Sequence, residues 1–149
     1  WVGSESGSQR VLDAMQRGVR VEQVGRAVEM LKSRGIAAGM FLMWGYDGEQ
    51  LEDIEATVNH VTKCKPDVFL TTVSYPLKGT GYYDDLQNRL VSIGNWAEST
   101  DRDLRVQGRH SRRYYSYADE LLKSSMEHAP DRMAAARAGL QASYREVEA

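Results

Sequence analysis

The sequence predicts an α/β fold built on parallel strands, and three observations predict it. Two short apolar runs, at residues 1–2 and 41–44, each break into a glycine-punctuated loop carrying acid, GSESGS and GYDGE. Each loop is followed by apolar residues at helical spacing. Residues 36–44 are almost entirely apolar and bounded by Gly35 and Gly45, the pattern of a strand buried on both faces, as strands of parallel sheets are. Strands that run into polar, glycine-rich loops at their carboxyl ends are where open and barrel-like α/β folds hold a ligand.

Taken in order, the elements support that class. Ser6 with Gln9 three residues on has the form of a capping box, and Val11, Leu12 and Met15 give the short helix after it an apolar face before Gly18. Val21, Val24, Ala27, Val28 and Leu31 predict a helix over residues 21–34, with Gly35 as the left-handed residue just past it. After the strand at 36–44, Leu51, Ile54, Val58 and Val61 predict a second amphipathic helix over residues 50–63, with Cys64 continuing the stripe and Pro66 stopping it. Residues 68–75 are rich in β-branched and aromatic side chains and predict the next strand, ended by Pro76. A strand, a helix and a strand joined this way make a parallel, right-handed unit. Beyond Gly81 a helix is expected over residues 82–91, weaker periodicity over 92–108, and two closing helices, over 111–128 and from Pro130 to about residue 148. An appendage outside the core is one reading of residues 130–149.

Composition narrows the function classes. Charged residues make up 27% of the 149 and the formal net charge is −2, so no global field points to nucleic acid or an anionic membrane. No apolar run approaches the ~18 residues of a membrane span, and no signal-peptide pattern opens the chain. One cysteine, Cys64, forms no internal disulfide and suits a reducing compartment, so a cytoplasmic protein is expected. Trp1 and Val2 read as the last apolar positions of a strand whose beginning is absent, and the chain is therefore expected to be a piece of a longer protein.

In GSESGS the glycines let backbone N–H groups face a ligand, and Glu5 can accept hydrogen bonds from a diol or an amine. A solvated turn with Ser6 as helix cap fits the same loop. His60, His110 and His128 stand at no metal-ligand spacing with one another or with Cys64 and read as solvated or helix-end residues. Arg102, Arg105, Arg109, Arg112 and Arg113 near Tyr114 and Tyr115 form a basic, aromatic cluster that could take a phosphate or nucleic acid, but with Asp101 and Asp103 interleaved and acidic helices nearby it reads as structural or solvated.

The order of segments carries more than any one of them. GSESGS with QRVLDAMQRG and VEQVGRAVEMLKSRGI after it, GMFLMWGYDGE with QLEDIEATVNHV after it, and then SYPLKGTGYY together resemble the radical S-adenosylmethionine superfamily. The likeness is to the large group that often carries a cobalamin-binding domain ahead of the radical domain. It covers residues 1–86, and RDLRVQGRHSRRYY is similar to the segment after the barrel in that group.

The resemblance implies that residues 1–86 are the second half of a partial, TIM-like β/α barrel, strands four to six, with residues 87–149 a mostly helical C-terminal extension. It implies that Glu5 bonds the ribose hydroxyls or amino group of S-adenosylmethionine, with Ser6 and Ser8 beside it. Met43, Trp44 and Gly45 would line the adenine side through strand backbone and apolar contact, and Tyr75 would close the pocket from the last strand. In the family a 4Fe-4S cluster, held by three cysteines in a CxxxCxxC loop, cleaves the cofactor reductively to a 5′-deoxyadenosyl radical, and cobalamin serves methyl transfer. Nothing in this sequence matches CxxxCxxC, so the cluster ligands are expected in a missing N-terminal half, the implied partner. No catalytic residue or metal ligand is assigned to this chain, which is expected to be inactive alone. The family usually has proline where Asp47 stands. A half barrel would also expose a strand edge through which two copies could pair. The alternative is a non-catalytic α/β module whose glycine loops take a phosphate-bearing ligand or whose tail takes a protein partner.

Overall fold

The uncharged run GMFLMW forms the middle strand of a three-stranded parallel sheet in a computed structural model that describes residues 1–92, 100 and 103–147. The strands are β1 (Val2–Glu5), β2 (Gly39–Trp44) and β3 (Val68–Val73), in the order β1-β2-β3. Helices α1 (Gln9–Ala14) and α2 (Val21–Lys32) connect β1 to β2, and α3 (Leu51–Cys64) connects β2 to β3. The α/β class and the parallel unit read from the sequence are therefore present.

Register explains which side is core. Val2 pairs with Met40, and Met40 with Phe69, so these side chains share one face with Leu42 and Trp44. Against that face pack Val24 and Val28 of α2 and Ile54, Val58 and Val61 of α3. Each such aliphatic side chain contributes roughly 1.5 to 3 kcal/mol by leaving water. The opposite face carries Gly3, Phe41, Met43 and Leu70. There Phe41 and Met43 are only half-buried and Leu70 is exposed, which corrects the expectation of a strand buried on both sides. Among the described residues, only one layer of helices covers this sheet.

Helix ends follow local chemistry. The chain leaves α2 through Gly35 at φ 71°, and the Ile36 N–H reaches the Leu31 carbonyl at 3.0 Å. It leaves α3 through Lys65 at φ 50°, just before Pro66. At α1 the structure differs from expectation: Ser8, not Ser6, precedes the helix, and its hydroxyl bonds Asp53 instead of capping.

Past β3 the expected helix at 82–91 is shorter. It spans α4 (Gly81–Leu86), capped by the Thr80 hydroxyl, and gives way to a 3-10 turn at Gln87–Arg89. The chain then forms β4 (Leu90–Ser92), antiparallel to β5 (Leu104–Val106). Strands of three residues are too short to show a period of two. Helix α5 (Arg112–Met126) starts at Ser111, whose hydroxyl accepts from the Tyr114 N–H at 3.3 Å, and α6 (Pro130–Ser143) follows. Ala136 and Leu140 of α6 belong to the same apolar cluster as Met40 and Ile54, so α6 is core and not an appendage. Asp101, Arg102 and Glu148 lie outside the described residues. Among the described residues, no helix is long and apolar enough to cross a membrane.

Candidate functional site

Parallel strands deliver their carboxyl ends to one edge, so the loops after β1, β2 and β3 are neighbours. At the first, Glu5 adopts φ 58°, and the Ser6 N–H turns back to the Ser4 carbonyl at 2.6 Å. This folds the Glu5 side chain over Gly3, where a Cβ would stand 3.0 Å from its Oε1 and 3.2 Å from Arg17 Nη2. The glycine thus makes room for a carboxylate on the face away from α2 and α3. Arg17 lies 3.5 Å from Glu5 Oε1. Burial pushes the Glu5 carboxyl above its ordinary pKa and Arg17 opposes the shift.

The two serines beside it turn the other way. Ser6 Oγ lies 3.1 Å from Thr57 Oγ1, and Ser8 Oγ donates to Asp53 at 2.6 Å. Gly7 lies flat on α3: a Cβ there would be 2.6 Å from Thr57 Cα. Burial acts to raise the Asp53 carboxyl, but bonds from the Arg10 guanidinium, the Ser8 hydroxyl and the Gln50 N–H hold it below its ordinary value. These contacts clamp the loop to the start of α3.

At the second loop Gly45 has φ 71°, and a Cβ would fall 2.7 Å from Cζ of Tyr115, so α5 packs directly on this turn. The Gly45 N–H donates to Glu49 Oε2 at 2.6 Å. Glu49 is 7% exposed. Burial pushes its carboxyl up to about 8 against the opposing Gly45 N–H. Its Oε1 and the Tyr114 hydroxyl are buried with no hydrogen-bond partner among the described residues.

The third loop locks onto the second. The Ser74 N–H donates to the Trp44 carbonyl at 2.7 Å, and the Tyr82 hydroxyl accepts from the Asp47 N–H at 3.2 Å. Tyr46 stacks on Tyr82 with centroids 4.4 Å apart, and its hydroxyl donates to the Ala14 carbonyl at 3.2 Å. Asp47 also pairs with Arg89 at 2.8 Å. A proline at this position would lack both the N–H and the carboxylate, so the departure at Asp47 has a structural use here.

Among the seven residues singled out from the sequence, Met43 lies on the open face, the Glu5 carboxylate reaches that face over Gly3, and Tyr75 follows β3 at the same edge. Gly45 sits in the turn between them. Trp44 is fully buried, and its indole N–H donates to Asp119 at 2.7 Å. With the Trp44 carbonyl and the Gly45 N–H already bonded, this turn offers a ligand mainly van der Waals contact.

The chain is similar to an uncharacterized methyltransferase of Pyrococcus horikoshii. The two are 30% identical over 112 residues, which are 74% of this chain and 24% of that protein. The chain thus spans about a quarter of the length of the curated relative it matches. No protein-family model matches it.

Several functional-looking residues were not singled out beforehand. Glu49, Asp53, Thr57 and Arg17 build the loops, and only Asp53, three residues after Gln50 at a helix start, had a recognisable signal. Cys64 is half-buried on α3, its Sγ 3.7 Å from His60 Nδ1, and burial raises its thiol and lowers the imidazole. The pair lines an outer groove of about 880 Å³ between α2 and α3, with His60 against Gly7 of the first loop. Among the described residues, no three His, Cys, Asp or Glu side chains gather as a metal-ligand set.

Proposed function

We propose that the chain is the second half of a radical S-adenosylmethionine barrel and forms a wall of its cofactor pocket, in a parent protein that transfers a methyl group. The observation that carries this reading is the Glu5 carboxylate, held over Gly3 on the open face and partly withdrawn from water. A partly desolvated carboxylate with one cation at 3.5 Å can accept from a ribose diol or an amine. Methyl transfer is the activity in the name of the Pyrococcus horikoshii relative, and S-adenosylmethionine is the cofactor the sequence resemblance implies. When bound, that cofactor supplies an activated sulfonium whose reductive cleavage gives a 5′-deoxyadenosyl radical.

The chain's own residues would then hold the nucleotide. Glu5 accepts from the ribose hydroxyls or the amino group, Met43 and the Gly45 turn lie against the adenine, and Tyr75 closes the end of β3. Ser6 and Ser8 act behind Glu5 by fixing its loop to α3. The described residues do not fit an iron–sulfur cluster. Their one cysteine is on the helix layer beside His60, so no step is assigned to a cluster here. Exposed Trp1, Val68 and Leu70 are where the remaining barrel strands would pack.

The gene tests this reading. Its reading frame upstream of the Trp1 codon is expected to encode a CxxxCxxC motif. A start codon just before Trp1, with no such motif, would remove the radical enzyme and favour a stand-alone module.

A further inference from the structure

Beyond α6 the chain doubles back as a short strap, residues 144–147, laid along the start of α5. Val147 pairs antiparallel with His110, the Ser111 N–H donates to the Glu146 carbonyl at 2.9 Å, and the Glu146 carboxylate takes Arg113 at 3.4 Å. Tyr144 carries the strap further: its hydroxyl donates to Gln50 Oε1 at 3.0 Å, where the β2 loop enters α3. The strap thus joins the end of α6, the start of α5 and the loop that holds Glu49.

The His110 ring forms the inner side of that contact. Its centroid lies 4.2 Å from that of Tyr114 and 4.8 Å from that of Tyr144, and its Nδ1 is buried with no hydrogen-bond partner among the described residues. Tyrosines are the titratable groups against it: Tyr114 and, edge-on at 6.4 Å, Tyr115 from α5, and Tyr144 from the strap. The charged neighbours are Arg109 just before it, Arg112 and Arg113 at the start of α5, and Glu146, which Ser111 and Arg113 engage. Behind Tyr114 is Glu49; burial and then this carboxyl push the Tyr114 phenol up. A second proton on the ring adds a charge, and a donor at Nδ1, in a buried place beside the positive end of α5. Burial accordingly holds the imidazole below its ordinary value, against a hydrogen bond to the Tyr144 backbone that favours the charged ring.

We propose that His110 is a proton-operated latch: neutral, it stacks inside the closed strap, and protonated it lets residues 144–147 lift from α5 and from the end of the β2 loop. Above 6.5, the ordinary value, the ring is neutral whether the strap is closed or open. As pH falls below it, the open strap takes up a proton that the closed one refuses, so closure weakens. Glu49 acts in the opposite sense, its carboxyl weakening the fold as pH rises, so the two effects separate. The inference stands apart from the S-adenosylmethionine reading, since neither the strap nor its test involves that cofactor.

Hydrogen exchange of the Ser111 amide, whose acceptor is the strap's Glu146 carbonyl, tests this when expressed as a protection factor so that the intrinsic pH dependence cancels. Protection is expected to fall about threefold or more between about pH 7.5 and about pH 5.5. In His110→Phe, which keeps an aromatic ring but takes no proton, it should stay constant to within about 1.5-fold over the same range. Should that variant lose its helical circular dichroism, the His110 ring is titrated by NMR in the unaltered chain, with a midpoint below 6.5 expected. Protection that stays flat with pH, or that falls equally in folded His110→Phe, overturns the proposal. So does a ring midpoint at or above 6.5, the mark of a carboxylate against the ring.

Discussion

The loops after β1 and β2 look alike in sequence and behave differently in the fold. Both are glycine-rich and both carry acid, GSESGS and GYDGE. In the first, Glu5 turns back over Gly3 and presents its carboxylate to the open face. In the second, Glu49 turns inward, bonds the Gly45 N–H and is buried under α5. The difference comes from what lies beyond each loop. Beyond the first there is no further layer among the described residues, whereas the second meets Tyr114 and Tyr115. One acid is left on the open face and the other serves the fold.

The sharpest ways to break that contrast are the glycines. Gly7→Ala meets the α3 backbone and Gly45→Ala meets Tyr115 while forcing a side chain to positive φ, and each is expected to lose roughly 2 to 4 kcal/mol in urea unfolding. Next, Glu49→Ala leaves the Gly45 N–H buried without its acceptor and should cost about 2 to 3 kcal/mol, while Glu49→Gln keeps an acceptor and should cost about 1. An unaltered midpoint in Glu49→Ala would mean that the carboxyl is not structural.

The pH dependence sharpens the same point. Glu49 is held protonated up to about 8 in the fold, against 4.5 as its ordinary value, so between those values the folded chain binds more protons than the unfolded one. Stability therefore falls as pH rises through that window, with a slope from this group approaching about 1.4 kcal/mol per unit. In Glu49→Gln this contribution should vanish. The smallest effect is expected at the other loop: Glu5→Gln removes a partly exposed pair with Arg17 and should change stability by less than about 1 kcal/mol.

Much of this architecture was legible because it rests on period and punctuation. The stripe Ile54, Val58, Val61, the stop at Pro66 and the turn at Gly35 each name a local physical event. What was not legible depends on distant packing. Nothing near Trp44 says that Asp119, far along the chain, takes its indole N–H, and nothing near Ser8 says that its hydroxyl goes to Asp53. The β4–β5 pair was missed for its brevity. Glu49 shows in the sequence only as part of its loop, since burial by a later helix leaves no mark on the loop itself.

The central claim is that the β1 and β2 loops form one shelf for S-adenosylmethionine. Titrating that cofactor into the isotope-labelled chain, and reading backbone amide shifts, addresses it directly. The account predicts weak binding, on the order of millimolar, with shifts at Glu5, Met43 and Gly45 that disappear in Glu5→Ala. Micromolar binding by this chain alone, or shifts confined to the groove between α2 and α3, would contradict it.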